Sequence, residues 1–438
     1  MFIERSWARI RGVRVAFLLL GLVPCAGLGA WAAWRQSPPH REACAERFSR
    51  ALGLPVRIGR LEHLRPGGLR ARGVEIRLPG EEAPVVLPAV DVEWSAAELR
   101  LRIGTLDAGP AVVRGAAALA RDWLAQPARF PLDCVVEVAE CAWRGTPLAA
   151  TPGAGGLRVE CVAAHGSRAV RVLHAPSSQG GGDELRAVST ASAGDDRIDV
   201  TGRIAAPRPW PLVAAALGID ETAVPLGAEA GVSGEFAVTV AGGRIDGSAR
   251  GLCVGIDAAA ATAALADEVA GTATLDVAAA AFSGGRIERL EAVLSVSRGR
   301  VAQRLLDALV ATLGCRPGPA LRSLDRDRSR AFDEARMRVV IDGNGLDLRG
   351  ATGRSGALVE VQGFSIIDEP GRLVPLDRLA WLMSPAAAPP VPASAATARL
   401  LDFLPLGSSP GGKPEAGGQP AERSDPAQAV RPRPRSGF

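Results

Sequence analysis

The residues of this 438-residue chain best suited to metal binding or nucleophilic chemistry are seven cysteines and four histidines. The cysteines are Cys25, Cys44, Cys134, Cys141, Cys161, Cys253 and Cys315, and the histidines are His40, His63, His165 and His174. A zinc site needs converging His and Cys ligands at short, regular spacings. No CxxC occurs, the cysteine count is odd and the intervals are irregular. Outside a reducing compartment, one or two disulfides among Cys134, Cys141 and Cys161 are one reading. Buried free thiols are the other.

Other chemistry is equally thin. No GxSxG, HExxH, phosphate loop ending in GK[ST] or dinucleotide fingerprint is present. The doublets Asp195-Asp196 and Asp267-Glu268 could in principle act as an acid/base pair. The first lies in the turn-like ASAGDDR and the second edges an Ala-rich run. IDGNG at 341–345 resembles part of a calcium loop, but Leu346 and Leu348 bring no oxygen ligands. A type I′ turn at Asn344-Gly345 accounts for it better. No catalytic, cofactor or metal residue is expected, and the chain reads as non-enzymatic.

Charge excludes a second class. The chain has 51 Lys+Arg, 47 Asp+Glu and 47% apolar residues. The excess positive charge sits in residues 1–35 and 411–438, and the stretch between them is slightly acidic. A nucleic-acid binder carries its positive charge on the folded body, so no nucleic-acid partner is expected.

The strongest signal is at the front. Arg5, Arg9, Arg11 and Arg14 precede an uncharged run, Val15–Trp34. Twenty helical residues rise about 30 Å, the thickness of a bilayer core. Val15, Phe17, Leu18, Leu19, Leu20 and Leu22 supply its apolar surface, and Trp31 and Trp34 stand where an interfacial belt belongs. The basic flank predicts an N-terminus in the cytoplasm and the rest exported. A cleaved signal peptide and a lipoprotein box at LVPC (22–25) are rivals. The second suffers from Pro24, where a small residue is wanted.

These elements give way to a β-rich body. PPHREACAERFSRALG (38–53) reads as a short amphipathic helix stopped by Gly53. Alternating segments then recur: 56–61, 68–79 with a phase shift near Gly73, 90–94, 99–106, 134–141, 157–163, 168–175, 184–190 and 197–204. More follow at 235–240, 249–256, 272–277, 286–297, 335–343, 345–350 and 357–363. Apolar residues alternating with Arg, Asp, Glu or Thr indicate antiparallel strands with one dry and one wet face. Short helices are predicted at 120–129, 209–219, 301–314 and 376–383, and 258–270 is helix or loop. The fold class is therefore mainly β with short helices (α+β): an N-terminal transmembrane helix followed by an elongated, curled antiparallel sheet.

An internal echo links GEFAVTVAGGRID (234–246) with GTATLDVAAAAFSGGRIE (271–288), a repeated hairpin in which a small-residue turn holds Gly-Gly. Beyond Pro385 the composition turns to Pro, Gly and Ala, with a brief apolar island at 400–407, and disorder is expected. The expected organisation is a cytoplasmic basic segment (1–14), a transmembrane helix (15–34), two β-rich regions (35–230 and 231–384) and a tail (385–438).

The order of basic N-terminus, single span, short helix, LGLPVRIGRLE and GLRARGVEIRLPG resembles the opening of AsmA-like proteins of the Gram-negative envelope, relatives of the repeating β-groove lipid-transfer proteins. GTATLDVAAAAFSGGRIERLEAVLSVSRGRVAQRLLDALVATLG (271–314) and FDEARMRVVIDGNGLDLRG (332–350) are similar to that family's C-terminal half. The resemblance implies an inner-membrane protein with a periplasmic β body and a part in outer-membrane biogenesis. It implies no catalytic residue and no cofactor. Its implied partners are membrane lipids or acyl chains and other envelope proteins. A scaffold or protein-interaction module without lipid transfer is the alternative. At about 4.8 Å per strand, even twenty strands reach only roughly 90 Å, short for bridging a periplasm alone.

Overall fold

A computed structural model describes residues 7–65, 67–95, 97–126, 130, 132–143, 155–164, 167–175, 182–192, 195–242, 244–263, 269–321, 329–353, 356–382 and 404–405. Helix α1 (Trp7–Phe17) runs through a π-helical turn, Leu18–Leu22, into α2 (Val23–Arg35). Pro24 lacks the N–H that a regular helix needs, and the widened turn accommodates this, with Val23 N–H reaching Leu18 O. Ser37 ends the helix by bonding Trp34 O through both its N–H and its hydroxyl. Helix α3 (Pro38–Leu52) starts at once and stops at Gly53, whose φ of +65° suits a left-handed cap.

Strands then follow in chain order. They are β1 (Val56–Arg65), β2 (Gly68–Ile76), β3 (Val85–Trp94) and β4 (Glu98–Ala108). Helix α4 (Pro110–Ala125) crosses to β5 (Asp133–Trp143), and β6 (Gly155–Ala164), β7 (Ser167–Ala175), β8 (Asp183–Ser192) and β9 (Asp195–Pro209) continue the series. Helix α5 (Trp210–Leu217) leads to β10 (Gly231–Ala241) and β11 (Arg244–Asp257). The short α6 (Ala258–Ala261) precedes β12 (Val269–Ser283) and β13 (Arg286–Ala302). Helix α7 (Gln303–Ala308) and a π turn lead to β14 (Arg316–Pro317), β15 (Ser329–Asp342), β16 (Gly345–Gly350), β17 (Ala357–Val361), β18 (Phe364–Asp368) and α8 (Asp377–Leu382).

All eighteen strands belong to one curled, non-closed sheet. Each of β1 to β12 pairs with its successor, then β13 pairs with β15, β15 with β16 and β17, β17 with β18, and β18 with β14. Every pair is antiparallel except β4–β5, which is parallel and therefore needs the α4 crossover. The sheet passes unbroken through residues 230 and 231, because β9 and β10 pair along their length.

The expected phase shift in β2 is present: Ala71 and Val74, three residues apart, are both buried, and Gly73 has φ +59°. The 234–246 and 271–288 echo forms hairpins β10–β11 and β12–β13. Three expectations need correction. Ala278–Ser283 extends β12 instead of forming the turn, which narrows to Gly284-Gly285 at φ +58° and +82°. The turn after β15 is Gly343-Asn344, since Asp342 pairs with Gly345. Asn344 has no positive φ, so it is not type I′; Asp342 Oδ1 instead accepts from Asn344 N–H at 2.8 Å. The helix predicted at 120–129 begins ten residues earlier, at Pro110. The doublet Asp267-Glu268 and most of the tail lie outside the described residues. Within the tail, Leu404 is described and packs into the C-terminal core with Leu306, Leu358 and Ile366.

Candidate functional site: an apolar track across the sheet

Strand register carries the alternating pattern from strand to strand. On the helix-bearing face one row reads Val92, Leu101, Val136, Val159, Val172, Leu185, Gly202, Phe236, Ala249, Ala280, Leu290, Ile341 and Leu346, each the direct partner of the next. Thirteen strands contribute, and no polar side chain interrupts them. Twelve intervals of about 4.8 Å give a track of roughly 58 Å. At Gly202 the Phe236 ring fills the missing side chain, since a Cβ there would lie 2.3 Å from Phe236 Cζ.

The opposite face carries the charges in the same register. Arg70, Asp91, Arg102, Glu137 and Arg158 alternate in sign across β2 to β6, and Glu184, Arg203, Glu235 and Arg250 do so across β8 to β11. Arg70 grips Asp91 with two bonds of 2.6 and 2.8 Å, and this hydrogen-bonded guanidinium holds the Asp91 carboxyl below the usual carboxylate range. Glu137 bridges Arg102 at 3.1 Å and Arg158 at 3.3 Å. A shallow depression of about 640 Å³ lies on this face between Arg203, Arg250 and Arg289. Each of those arginines is paired to Glu235 or Glu291, so the depression offers little spare charge. The expected solvated arginine face is thus present and internally neutralised.

Among the described residues, helices cover the track chiefly at its two ends; α4 also reaches Val172 through Trp123, and α5 packs beside the middle strands, with Trp210 and Ala214 against Ala230 and Val232. Near the front, α3 and α4 roof over β1 to β6 and enclose an apolar cavity of about 250 Å³. Phe48 and Leu52 of α3 and Leu119 and Trp123 of α4 face Val56, Leu101 and Val136 below. Ala116, exposed on α4 yet lining the cavity, marks its mouth. Helix α4 lies close because Gly115 has no side chain: a Cβ there would meet Leu78 Cβ at 2.6 Å. At the far end, Leu305, Leu306 and Leu313 pack on Ala335, Ile341 and Leu348. Between the two lids the track residues from Val172 to Ala249 are half-buried.

Two cysteines line the cavity. Cys134 and Cys161 are register partners on β5 and β6, and burial pushes each thiol up to about 12. They are not reactive thiolates at neutral pH. Cys141 is fully buried opposite Gly155. Among the described residues no group of three His, Cys, Asp or Glu converges as a metal site would.

Beside the cavity wall sits a polar cluster that sequence reading missed. His174, the partner of Leu157, is 5% exposed, and its Nδ1 lies 3.2 Å from Asp183 Oδ2. Arg208 donates to the same oxygen at 2.7 Å. Burial works against the Asp183 charge. The bonds from His174, the Ala205 N–H and Arg208 outweigh it and hold the carboxyl below its ordinary value. His174 Nε2 and the nearby Trp143 Nε1 are buried without a hydrogen-bond partner among the described residues. A His–Asp pair acts in nucleophilic catalysis through a hydroxyl or thiol on its free nitrogen, and no such group among the described residues bonds His174 Nε2.

The anchor residues stand as a group apart from the track. Arg11–Arg35 is a helix long and apolar enough to cross a membrane, with mean hydropathy 2.0 and none of that window buried by the rest of the chain. Val15, Phe17, Leu18, Leu19, Leu20, Leu22, Trp31 and Trp34 are all exposed on it. Only Gln36 and Ser37 separate this helix from α3, the first roof of the cavity. No family model matches the chain, and no curated protein or solved structure does.

Proposed function

We propose that the protein is a non-enzymatic, membrane-tethered handler of lipid acyl chains, held by its first helix in the inner membrane with the sheet in the periplasm. In the sense of the AsmA-like resemblance, it serves envelope and outer-membrane biogenesis. The observation that carries the reading is the continuous apolar row from Val92 to Leu346, roofed at both ends and half-open in the middle. Soluble surfaces rarely keep so long an apolar strip without an occupant.

Magnitudes favour passage over storage. A 150 Å³ apolar cavity accepts benzene, so about 250 Å³ accepts about ten carbons. Burying ten methylenes is worth about 8 kcal/mol at roughly 0.8 each. Association costs at least about 4 kcal/mol. The remaining 4 or so corresponds to a Kd no tighter than about 1 mM. A chain held that weakly gains by extending along the half-open strands, and it also leaves readily.

The test is site-specific photocrosslinking in cells, with the photoreactive residue replacing Leu185 or Val172 on the track and Thr201 or Ser248 on the other face. Lipid adducts at the track positions alone support the reading. Equal adducts on both faces, or none on the track, refute it and leave the scaffold alternative, in which the row is only packing.

A further inference from the structure

A second cavity, of about 530 Å³, lies where the membrane-length helix meets the sheet, and it shares no lining residue with the apolar one. Its wall brings together Arg35 from the last turn of α2, Arg41 from the start of α3 and Arg60 from β1, with Trp31, Glu62 and His63. Three guanidinium groups face one carboxylate. That carboxylate is already shared, since Glu62 Oε1 lies 3.3 Å from Arg60 Nε and 3.2 Å from Arg72 Nε. Arg35 stacks on the Trp31 ring at 4.0 Å, and Arg41 donates to Gly59 O at 2.9 Å. Neither pairs with a carboxylate among the described residues.

The neighbouring histidines do not relieve this excess. His40 Nε2 and His63 Nε2 are 3.1 Å apart, so one donates to the other. Burial first, and the charge of Arg35 second, hold both imidazoles below their ordinary value. The cavity therefore keeps a positive charge that nothing among the described residues neutralises. Its position is specific too. Trp31 and Trp34 are exposed at the end of the apolar helix, where interfacial aromatics mark the headgroup level. Guanidinium groups bind phosphate oxygens in a bidentate manner.

We propose that this cavity binds the phosphate of an anionic phospholipid, with Arg35, Arg41 and Arg60 as its ligands and Trp31 against the glycerol region. The proposal rests on the reading of Arg11–Arg35 as a membrane span. It adds to the acyl track a separate, charge-selective site at the point where lipid and sheet meet.

The experiment uses the full chain in nanodiscs of mixed phosphatidylcholine and phosphatidylglycerol, with lipid retained after release counted by native mass spectrometry. The wild type is expected to retain phosphatidylglycerol in preference to phosphatidylcholine. The triple variant Arg35→Gln, Arg41→Gln, Arg60→Gln is expected to lose that preference by at least about tenfold, the size of one charge-assisted hydrogen bond. Arg57→Gln, exposed on the same strand but outside the cavity, leaves it unchanged. Arg60→Gln alone removes the most exposed of the three ligands and lowers the preference without threatening the fold. An unaltered preference in the triple variant, or none in the wild type, overturns the site. Displacement of the lipid by millimolar inorganic phosphate assigns the cavity to a free anion and overturns the lipid assignment. Alkaline extraction of native membranes separates the two readings. Release of the chain defeats the span itself, whereas a retained chain without lipid preference defeats this site alone.

Discussion

Joining Cys134 to Cys161 tests the register on which the track depends. The two residues oppose each other on β5 and β6. Opposed Cα atoms in an antiparallel pair are about 4.5–5.5 Å apart, inside the roughly 4.4–6.8 Å that a disulfide accepts. Treating the folded protein with diamide should therefore form the bridge, with the two thiols losing two protons and two electrons to the diamide. Reaction is slow at neutral pH, because burial holds both thiols near 12. The bridge closes a 28-residue loop, for which the chain-entropy relation gives about 3.6 kcal/mol of stabilisation. Spread over roughly 350 ordered residues at about 2.1 cal/mol/K each, this raises the melting temperature by about 5 °C. Non-reducing peptide mapping and a thermal melt, with Cys161→Ser as control, measure both effects. A bridge from Cys141 to either residue, or no bridge after exhaustive oxidation of folded protein, would show that β5 and β6 are paired differently.

Other predictions address the two faces and the lid. Val172→Asp places an unpaired carboxylate in the track and should abolish lipid adducts at Leu185 while the chain stays membrane-bound. Gly202→Val drives a side chain into the Phe236 ring and should cost about 1–3 kcal/mol, much of it recovered in the double variant with Phe236→Ala; simple additivity in denaturant melts would disprove the contact. Ala116→Trp, at the cavity mouth, should leave the melting temperature nearly unchanged but reduce adducts at Val136. Acid should unfold the body through its carboxylates. Asp91, Asp183 and Asp199 have pKa values lowered in the fold, so their contribution is complete above about pH 4. It is lost as pH falls through the folded values, and a melting temperature flat from pH 6 to pH 3 would contradict this.

Alternation made most strands legible, because an Arg or Glu at every second position leaves only one face that can be dry. β18 was missed because Phe364–Asp368 is short and lacks a charged alternation, and β14 has only two residues. The early turns of α4 escaped notice for another reason. In AVVRGAAALA the apolar stripe of Val112, Ala116, Leu119 and Trp123 is built largely of alanine, which marks no face strongly. The spacing after Pro110 was the available signal. The cavity itself was not readable, since it exists only where the β4–β5 crossover lays α4 over strands that precede it. The His174, Asp183 and Arg208 cluster joins residues from three strands, and nothing local announces it. The apolar N-terminal helix was the clearest element because length, apolarity and flanking charge coincide in one segment.

The pairing of each early strand with its immediate successor has a consequence for biogenesis. A chain emerging N-terminus first would not have to wait for its distant end. Every newly emerged segment finds its docking edge already in place, so closure distances stay short and slow long-range searching is avoided. Two steps among the described strands depart from this: β5 can be added only after α4 has swung across, and β14 pairs with β18, which emerges later. Folding should therefore advance in one direction from the N-terminal helix, with its main pause at the α4 crossover, and a stalled chain would still display an orderly sheet behind its growing edge.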